Sequence, residues 1–468
     1  MKVLSPTVGP IVGATEPTRT RIWIRADFDT RRDQPHRAFG VIRHRQWGAS
    51  AWSKPTIFKV NPNFDMTGVV VIRRLAPRTR YDYQTGFFWS ALEPEEIDLQ
   101  AASSDWSDAA EGTFRTASDR DNESRSLIVG SCRYLLRVFG ASLFDNRGDK
   151  TFRSVLQQVE DGRRVDQVIM MGDQIYADDL TTIAPDTTVA EFFKRYQAAF
   201  GQKHVRRLMA NIPTYMILDD HEIEDNWPHK ARADDWRVLY PASLHAYQTY
   251  QASHSPLFKV SGDRIVGTPR QWWYTYTDGC CDFFVMDSRT ERWLWPELGR
   301  KWEIISRQQM TRVKRWLNDG SGRAKIVVTS VPFFPDSTNF DKNDKWAGFP
   351  DQRAELLTYI EDKQIRKVVF FSGDVHSSFS VALKSPRGLK VHSVVSSAFY
   401  WPYPHPSERH FNLKGSIDAG TAGRFKVVAY TKVCPEDNFT RVTVRTSGLV
   451  VEVFERKGSR LAEKTYTW

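Results

Sequence analysis

Hydrophobic and polar positions fall into two textures along the chain. Over the first ~118 residues they alternate in short runs, TRTRIWIRAD, TIFKVNP, TGVVVIRRL, RYDYQTGFFW and GTFRTA, separated by Pro, Gly, Asn and Asp clusters. A period of two with frequent turn signals predicts a small all-β antiparallel sandwich. The polar stretch ASDRDNESRS (117–126) then reads as a linker. Beyond it come near-continuous apolar runs, SLIVGSC, VDQVIMMGD, TYMILDDHE, CDFFVMDSR, AKIVVTS and RKVVFFSGDVH. Between several of them lie stretches of helical period, TFRSVLQQVED, VAEFFKRYQAAFGQKHVRRLMA, SRQQMTRVKRWLNDG and DQRAELLTYIEDKQ. Strands apolar on both faces need covering on both faces, so this part is expected to be an α/β (layered α+β) domain of mixed sheets covered by helices. RVTVRTSGLVVEVFERKG returns to alternation and predicts a closing hairpin. The expected division is residues 1–118 and 122–468.

A chain of 468 residues exceeds one ordinary core, in keeping with two domains. LAPRTRYDYQ is similar to the turn into a paired-tyrosine strand of immunoglobulin-like and fibronectin-type modules, which occur on many unrelated proteins. No apolar run approaches the ~20 residues of a membrane span. The N-terminus, MKVLSPTVGPIVGATEP, lacks a signal-peptide apolar stretch. A cytoplasmic location is expected for the sequence as it stands, a periplasmic or secreted one if a leader has been removed. Four cysteines with no CxxC pair exclude a disulfide framework, and Cys280 and Cys281 read as small buried residues. The net charge of +10 favours anionic ligands. The positive residues are spread, and neither a basic helix nor a basic-aromatic platform is visible, so no specific nucleic-acid partner is expected. Oligomeric state is left open.

The chemistry lies at the strand ends, where layered α/β folds bind ligands. SLIVG ends in Ser131-Cys132-Arg133, VDQVIMMG in Asp173 with Tyr176 three residues on, and TYMIL in Asp219-Asp220-His221-Glu222. FFVM ends in Asp287-Ser288-Arg289 and VVFFSG in Asp374-Val375-His376. Any single aspartate here reads first as a cap on the following helix. Several buried together are costly without cations among them, and a convergent set points to metal ions. Carboxylates are hard donors suited to Ca, Mg or Mn, whereas thiolate and phenolate suit a transition metal such as ferric iron. A mixed set therefore argues for unlike metals, with zinc as the competing choice.

GSCRY, MGDQIYADD, DDHEIEDNW, MDSRTER and SGDVHSSF resemble the successive motifs of the alkaline phosphatase D (PhoD-like) family of calcineurin-like metallophosphoesterases. The resemblance extends to WAGFPDQRAELL and to the N-terminal sandwich. It implies that Asp173 bridges two metals, with Cys132, Tyr176 and His376 completing a ferric (Fe3+) side. Asp220 and Asp374 would bind the second metal, one or two Ca2+, with Asn226 and Asp219 as additional ligands. Zn2+ or Mn2+ is the alternative metal content. His221 would be the acid that serves the leaving group.

Each assignment has a competitor. Cys132 reads as core, though its place directly after a strand and before Arg133 argues against apolar burial. Tyr176 has the competing reading of a packed tyrosine bonded to Asp178 or Asp179, though its spacing after Asp173 favours a ligand, and His221 reads equally as an orienting residue. Arg133 and Arg289 suit phosphate clamps or salt bridges equally well. Trp227, Trp346 and Trp293-Leu294-Trp295 read as core before substrate wall, and Asp178 and Asp179 as helix caps. The resemblance implies hydrolysis of a small-molecule or lipid phosphate ester, mono- or diester, by in-line attack of a metal-bridging hydroxide. A phospholipase D-like diester hydrolase, another metallohydrolase and a non-catalytic polyanion-binding protein are the alternatives.

Overall fold

The computed structural model describes residues 1–30, 36–92, 96–97, 104–135, 137–138, 141–142, 146–178, 185–295, 299, 301–338 and 342–468. The chain forms two compact units, one of Met1–Asp119, Val189–Tyr215 and Leu244–Arg270, the other of Arg120–Thr188, Met216–Ser243 and Gln271–Trp468. Two segments from the middle of the chain thus belong with the first unit, which a division at 118 and 122 does not anticipate.

In the first unit the alternating runs become strands Arg19–Arg25, Thr56–Lys59, Thr67–Arg73, Arg80–Ser90 and Ala110–Arg115. Val8–Thr15 and Arg37–Gln46, whose patterns are less regular, join them. A four-stranded and a five-stranded sheet result, the latter closed by Arg264–Val266 and Lys259–Ser261. Inward side chains, among them Val12, Ile22, Ile42, Val70, Tyr83 and Phe114, fill the sandwich. The inserted segments are tied on by polar contacts: Arg206 Nε donates to the Gly9 carbonyl at 2.6 Å, and Trp23 Nε1 to the Thr249 carbonyl at 2.9 Å. On the outer face Arg43 stacks over Trp52 and Trp106, and Arg80 over Trp47. A basic-aromatic interleaving therefore does exist, assembled by strand pairing from residues dispersed in sequence. Arg43 Nε is nonetheless taken up by Gln84 Oε1 at 2.8 Å.

The second unit holds two mixed sheets. One runs through Gln167–Met170, Arg125–Gly130, Asn438–Arg445, Gly448–Glu455 and Arg460–Thr467, and Ile217 extends it by donating to the Met170 carbonyl at 3.2 Å. The expected closing hairpin is present and pairs with Arg125–Gly130. The other has eight strands, in which Cys281–Val285, Ala324–Val328, Val368–Ser372 and Lys390–Val395 are parallel neighbours. These central strands are buried almost throughout, as apolar runs demand. Helices Arg147–Glu160, Arg307–Leu317 and Pro350–Asp362 occupy the stretches of helical period. Ser306 caps the second of them, its side chain accepting from the Gln309 N–H. Among the described residues no helix is long and apolar enough to cross a membrane.

Candidate metal centre

Arg125–Gly130 and Gln167–Met170 are parallel and in register at Gly130 and Met170, so the turns after them emerge side by side. Cys132 and Asp173 sit in those turns with φ of 57° and 55°, and Asn226, Asp374 and His376 likewise have φ of 58°, 71° and 53°. Left-handed backbone at non-glycine residues costs of order 1–3 kcal/mol each and persists only where surroundings enforce it. Here the enforcement is visible. Cys132 N–H donates to the Gly172 carbonyl at 3.2 Å and Arg133 N–H to the Asp173 carbonyl at 2.9 Å. Asp374 N–H donates to Ser131 Oγ at 3.2 Å, and His376 N–H to Ser397 Oγ at 2.9 Å. Gly172 is required where it stands, because a Cβ there would meet Asp219 Cβ at 2.3 Å.

Two groups of donors converge. Asp173 Oδ2 lies 3.2 Å from Cys132 Sγ and 3.4 Å from the Tyr176 hydroxyl, which is 3.5 Å from His376 Nε2. Asp219, Asp220 and Asp374 form the second group, and Asp220 also belongs with Asp173 and His221, the ligand atoms of each trio lying within 4.8 Å. Burial drives the Asp173 carboxyl well above its usual range, with Cys132, Asp219 and Asp220 adding to the rise. Burial likewise pushes Asp219 up to about 8 and the Cys132 thiol up to about 12. Asp173 Oδ1 and Asp219 Oδ2 are buried with no hydrogen-bond partner. Orphaned carboxylate oxygens in a crowded buried group are what bound cations would satisfy, so the donors fit a metal centre.

Cys132 is fully buried. Its surroundings are not purely apolar: Ser131 and Ser397 hydroxyls each lie 3.1 Å from Sγ. The Arg289 guanidinium, also fully buried, pairs with Asp219, meets Asp344 at 2.5 and 3.0 Å and stands 3.2 Å from Asp220 Oδ1. Arg133 is 1% exposed and packs over the Phe152 ring. Both arginines are thus buried, Arg289 paired with carboxylates and Arg133 packed on an aromatic ring. Asn226 N–H donates to Asp220 Oδ2 at 2.7 Å, while its amide turns to Asp225 Oδ1 at 2.9 Å. Trp227 and Trp346 are core, and Trp293, Leu294 and Trp295 are half-buried. Asp178 binds His221 instead of capping a helix, its Oδ2 2.8 Å from Nδ1 and also accepting from the Asp225 N–H at 2.9 Å. Asp179 lies outside the described residues. Burial opposes the charged form of His221, yet Asp178, Asp220 and Asp173 together hold its pKa well above the ordinary value.

Several contributors escaped the sequence reading. Glu222, fully buried, accepts from three backbone N–H groups, Asp173 at 3.1 Å, Asp219 at 2.9 Å and Gln174 at 2.7 Å. Its adjacency to His221 was the signal. Trp401 stacks on His376 with ring centroids 3.6 Å apart, and His405 Nδ1 donates to the His376 carbonyl at 2.5 Å. Asp344 and Lys345 arrive from a loop with no strand pattern. A cavity of about 630 Å³ borders Asp178, Glu224, Asp225 and Asp235.

Mixed sheets whose strand ends gather buried aspartates, a histidine, a cysteine and a tyrosine form a site whose donors fit bound metal ions. The chain belongs to the PhoD-like phosphatase family, whose model matches residues 136–407. It is 27% identical over 254 residues to alkaline phosphatase D of Bacillus subtilis (strain 168), a match covering 46% of this chain. The match spans only 42% of that relative's length. A solved structure of PhoD superposes with a TM-score of 0.73 at 15% identity, over 99% of this chain and 90% of that one. The purple acid phosphatase PPD1 from yellow lupin (Lupinus luteus) seeds gives 0.59 at 12% identity, over 98% and 74%. These two likenesses establish the fold.

Proposed function

We propose that this chain hydrolyses phosphate esters, small-molecule or lipid, mono- or diesters, with the help of bound metals. The observation that carries the reading is the buried convergence of Asp173, Asp219, Asp220 and Asp374 with unsatisfied oxygens, next to a histidine already paired to an aspartate. Cys132, Tyr176, Asp173 and His376 would hold Fe3+. Asp173, Asp220 and Asp374, with Asn226 and Asp219, would hold one or two Ca2+, and Zn2+ or Mn2+ is the alternative content. Such a pair supplies Lewis acidity for attack on phosphorus at neutral pH.

The chain's own groups do the rest. Asp178 fixes His221 through Nδ1, which leaves Nε2 as the nitrogen that carries a proton to the departing oxygen. As the P–O bond breaks, the Nε2–H proton passes to the leaving group. Arg289 keeps Asp219 and Asp344 in place as counter-charge within the acidic group, and Arg133 tethers its turn through its backbone bond to Asp173.

Protein purified without chelators would be assayed for metals by elemental analysis and for hydrolysis of p-nitrophenyl phosphate and its bis-ester. Iron with calcium, and turnover lost in Asp173→Ala, is the expected result. A metal-free chain that no metal reactivates would overturn the reading.

A further inference from the structure

One buried cation beside the metal centre has no part in the roles above. Lys345 is 5% exposed, and its Nζ lies 3.0 Å from Asp374 Oδ2. The other oxygen of Asp374 faces Arg289 Nη2 at 3.9 Å, so the two cations approach different oxygens of this carboxylate. Its chain neighbours are pinned. Asp344 is gripped by Arg289 and by Arg292 Nη1 at 2.6 Å, and its carbonyl accepts from Arg292 Nη2 at 2.7 Å. Trp346 is fully buried, with Nε1 donating to Thr329 Oγ1 at 3.1 Å. The direction of Lys345 is therefore set by the loop.

Burying an ammonium is costly unless its charge is used. Asp374 already has Arg289 within reach, and a metal at this group would bring more positive charge. A lysine kept among cations is stabilised when an anion arrives with them. The ammonium has three donors, so it can keep Asp374 and still reach a second acceptor. As a point charge it does not demand the two-pronged geometry of a guanidinium.

We propose that Lys345 is a substrate-contacting residue whose ammonium donates to a non-bridging phosphoryl oxygen. This rests on the phosphate-ester reading, so the decisive measurement is binding, not turnover. Calorimetric titration of the metal-loaded chain with inorganic phosphate is compared for wild type, Lys345→Met, Lys345→Gln and Lys345→Arg, with metal content and thermal midpoint measured on each. The neutral variants are expected to keep their metals and weaken phosphate binding about tenfold or more, with KM rising more than kcat falls, while Lys345→Arg recovers most of the loss. Unchanged phosphate binding in the neutral variants would overturn the proposal. So would loss of metal in step with loss of phosphate, or failure of both neutral variants to fold, since Lys345 would then serve only Asp374 and the loop. A wild type that binds phosphate through Lys345 but turns over no ester would support the contact and sink the hydrolytic reading.

Discussion

Cys132 Sγ lies 3.2 Å from Asp173 Oδ2, and both residues hold left-handed backbone in adjacent turns. Two acidic side chains brought together by strained backbone are poorly placed for stability alone and well placed for a shared cation. Replacing Asp173 by Asn removes the charge and keeps the shape. Metal content by elemental analysis should fall to background, with hydrolysis reduced at least about 100-fold. In metal-free protein the same change should raise the thermal midpoint by on the order of 1–3 °C, because a buried carboxyl crowded by Asp219 and Asp220 is relieved. A lower midpoint in the metal-free variant would mean that Asp173 is a structural residue.

Glu222 organises the turns that carry the ligands, since one carboxylate receives the N–H groups of Asp173, Gln174 and Asp219. Glu222→Gln turns an NH2 group toward one of these donors. Loss of about 2–4 kcal/mol of stability is expected, with roughly 10- to 100-fold weaker metal retention against a chelator. Retention equal to wild type in the folded variant would show that the turns hold themselves.

The centre was legible in part, and the division has a physical cause. Cys132, Asp173, Asp219, Asp220 and Asp374 stand where apolar runs break off, because a buried strand must end before the chain can present a polar group. Tyr176 and His376 follow at short spacing. Glu222 is marked by its place beside His221 in DDHEIEDNW, yet that place does not say that its carboxylate folds back on two turns. Asp344, Lys345, Trp401 and His405 come from loops whose placement depends on tertiary packing. In the fold, helical period marked Val189–Phe200 and Lys203–Met209 but could not say which sheet their apolar faces would cover. They pack within the first unit. Val8–Thr15, buried along its whole length, shows no alternation to mark it as a sandwich strand.

The Asp178–His221 pair should matter most where the leaving group needs a proton. Asp178→Asn keeps an acceptor oxygen near Nδ1 but removes the carboxylate that orients the ring and favours its charged form. An alkyl phosphodiester should lose about 10²–10⁴-fold in kcat, and an ester with a nitrophenolate leaving group far less, with metal content unchanged. Equal losses for the two substrates would show that the histidine positions groups without donating a proton.

Away from the centre, His254 makes part of the stability depend on pH. It is fully buried, its Nε2 lies 3.1 Å from the Tyr250 carbonyl, and burial with nearby Arg21 lowers its pKa to about 4. The unfolded chain protonates this imidazole near 6.5, so between about 6.5 and 4 the unfolded state binds more protons. Stability therefore falls as pH drops through that window, and this contribution levels off below about 4. The span of roughly 2.5 units corresponds to on the order of 3 kcal/mol. His254→Gln keeps a donor for the Tyr250 carbonyl and cannot titrate. Thermal midpoints of both proteins, measured from pH 7 to 4.5, should converge as the pH falls, because wild type loses stability that the variant does not. Other titrating groups are common to the two proteins and cancel in the difference. Parallel curves would mean that the buried imidazole finds a partner for its proton, and that the cost of charging it is met inside the first unit.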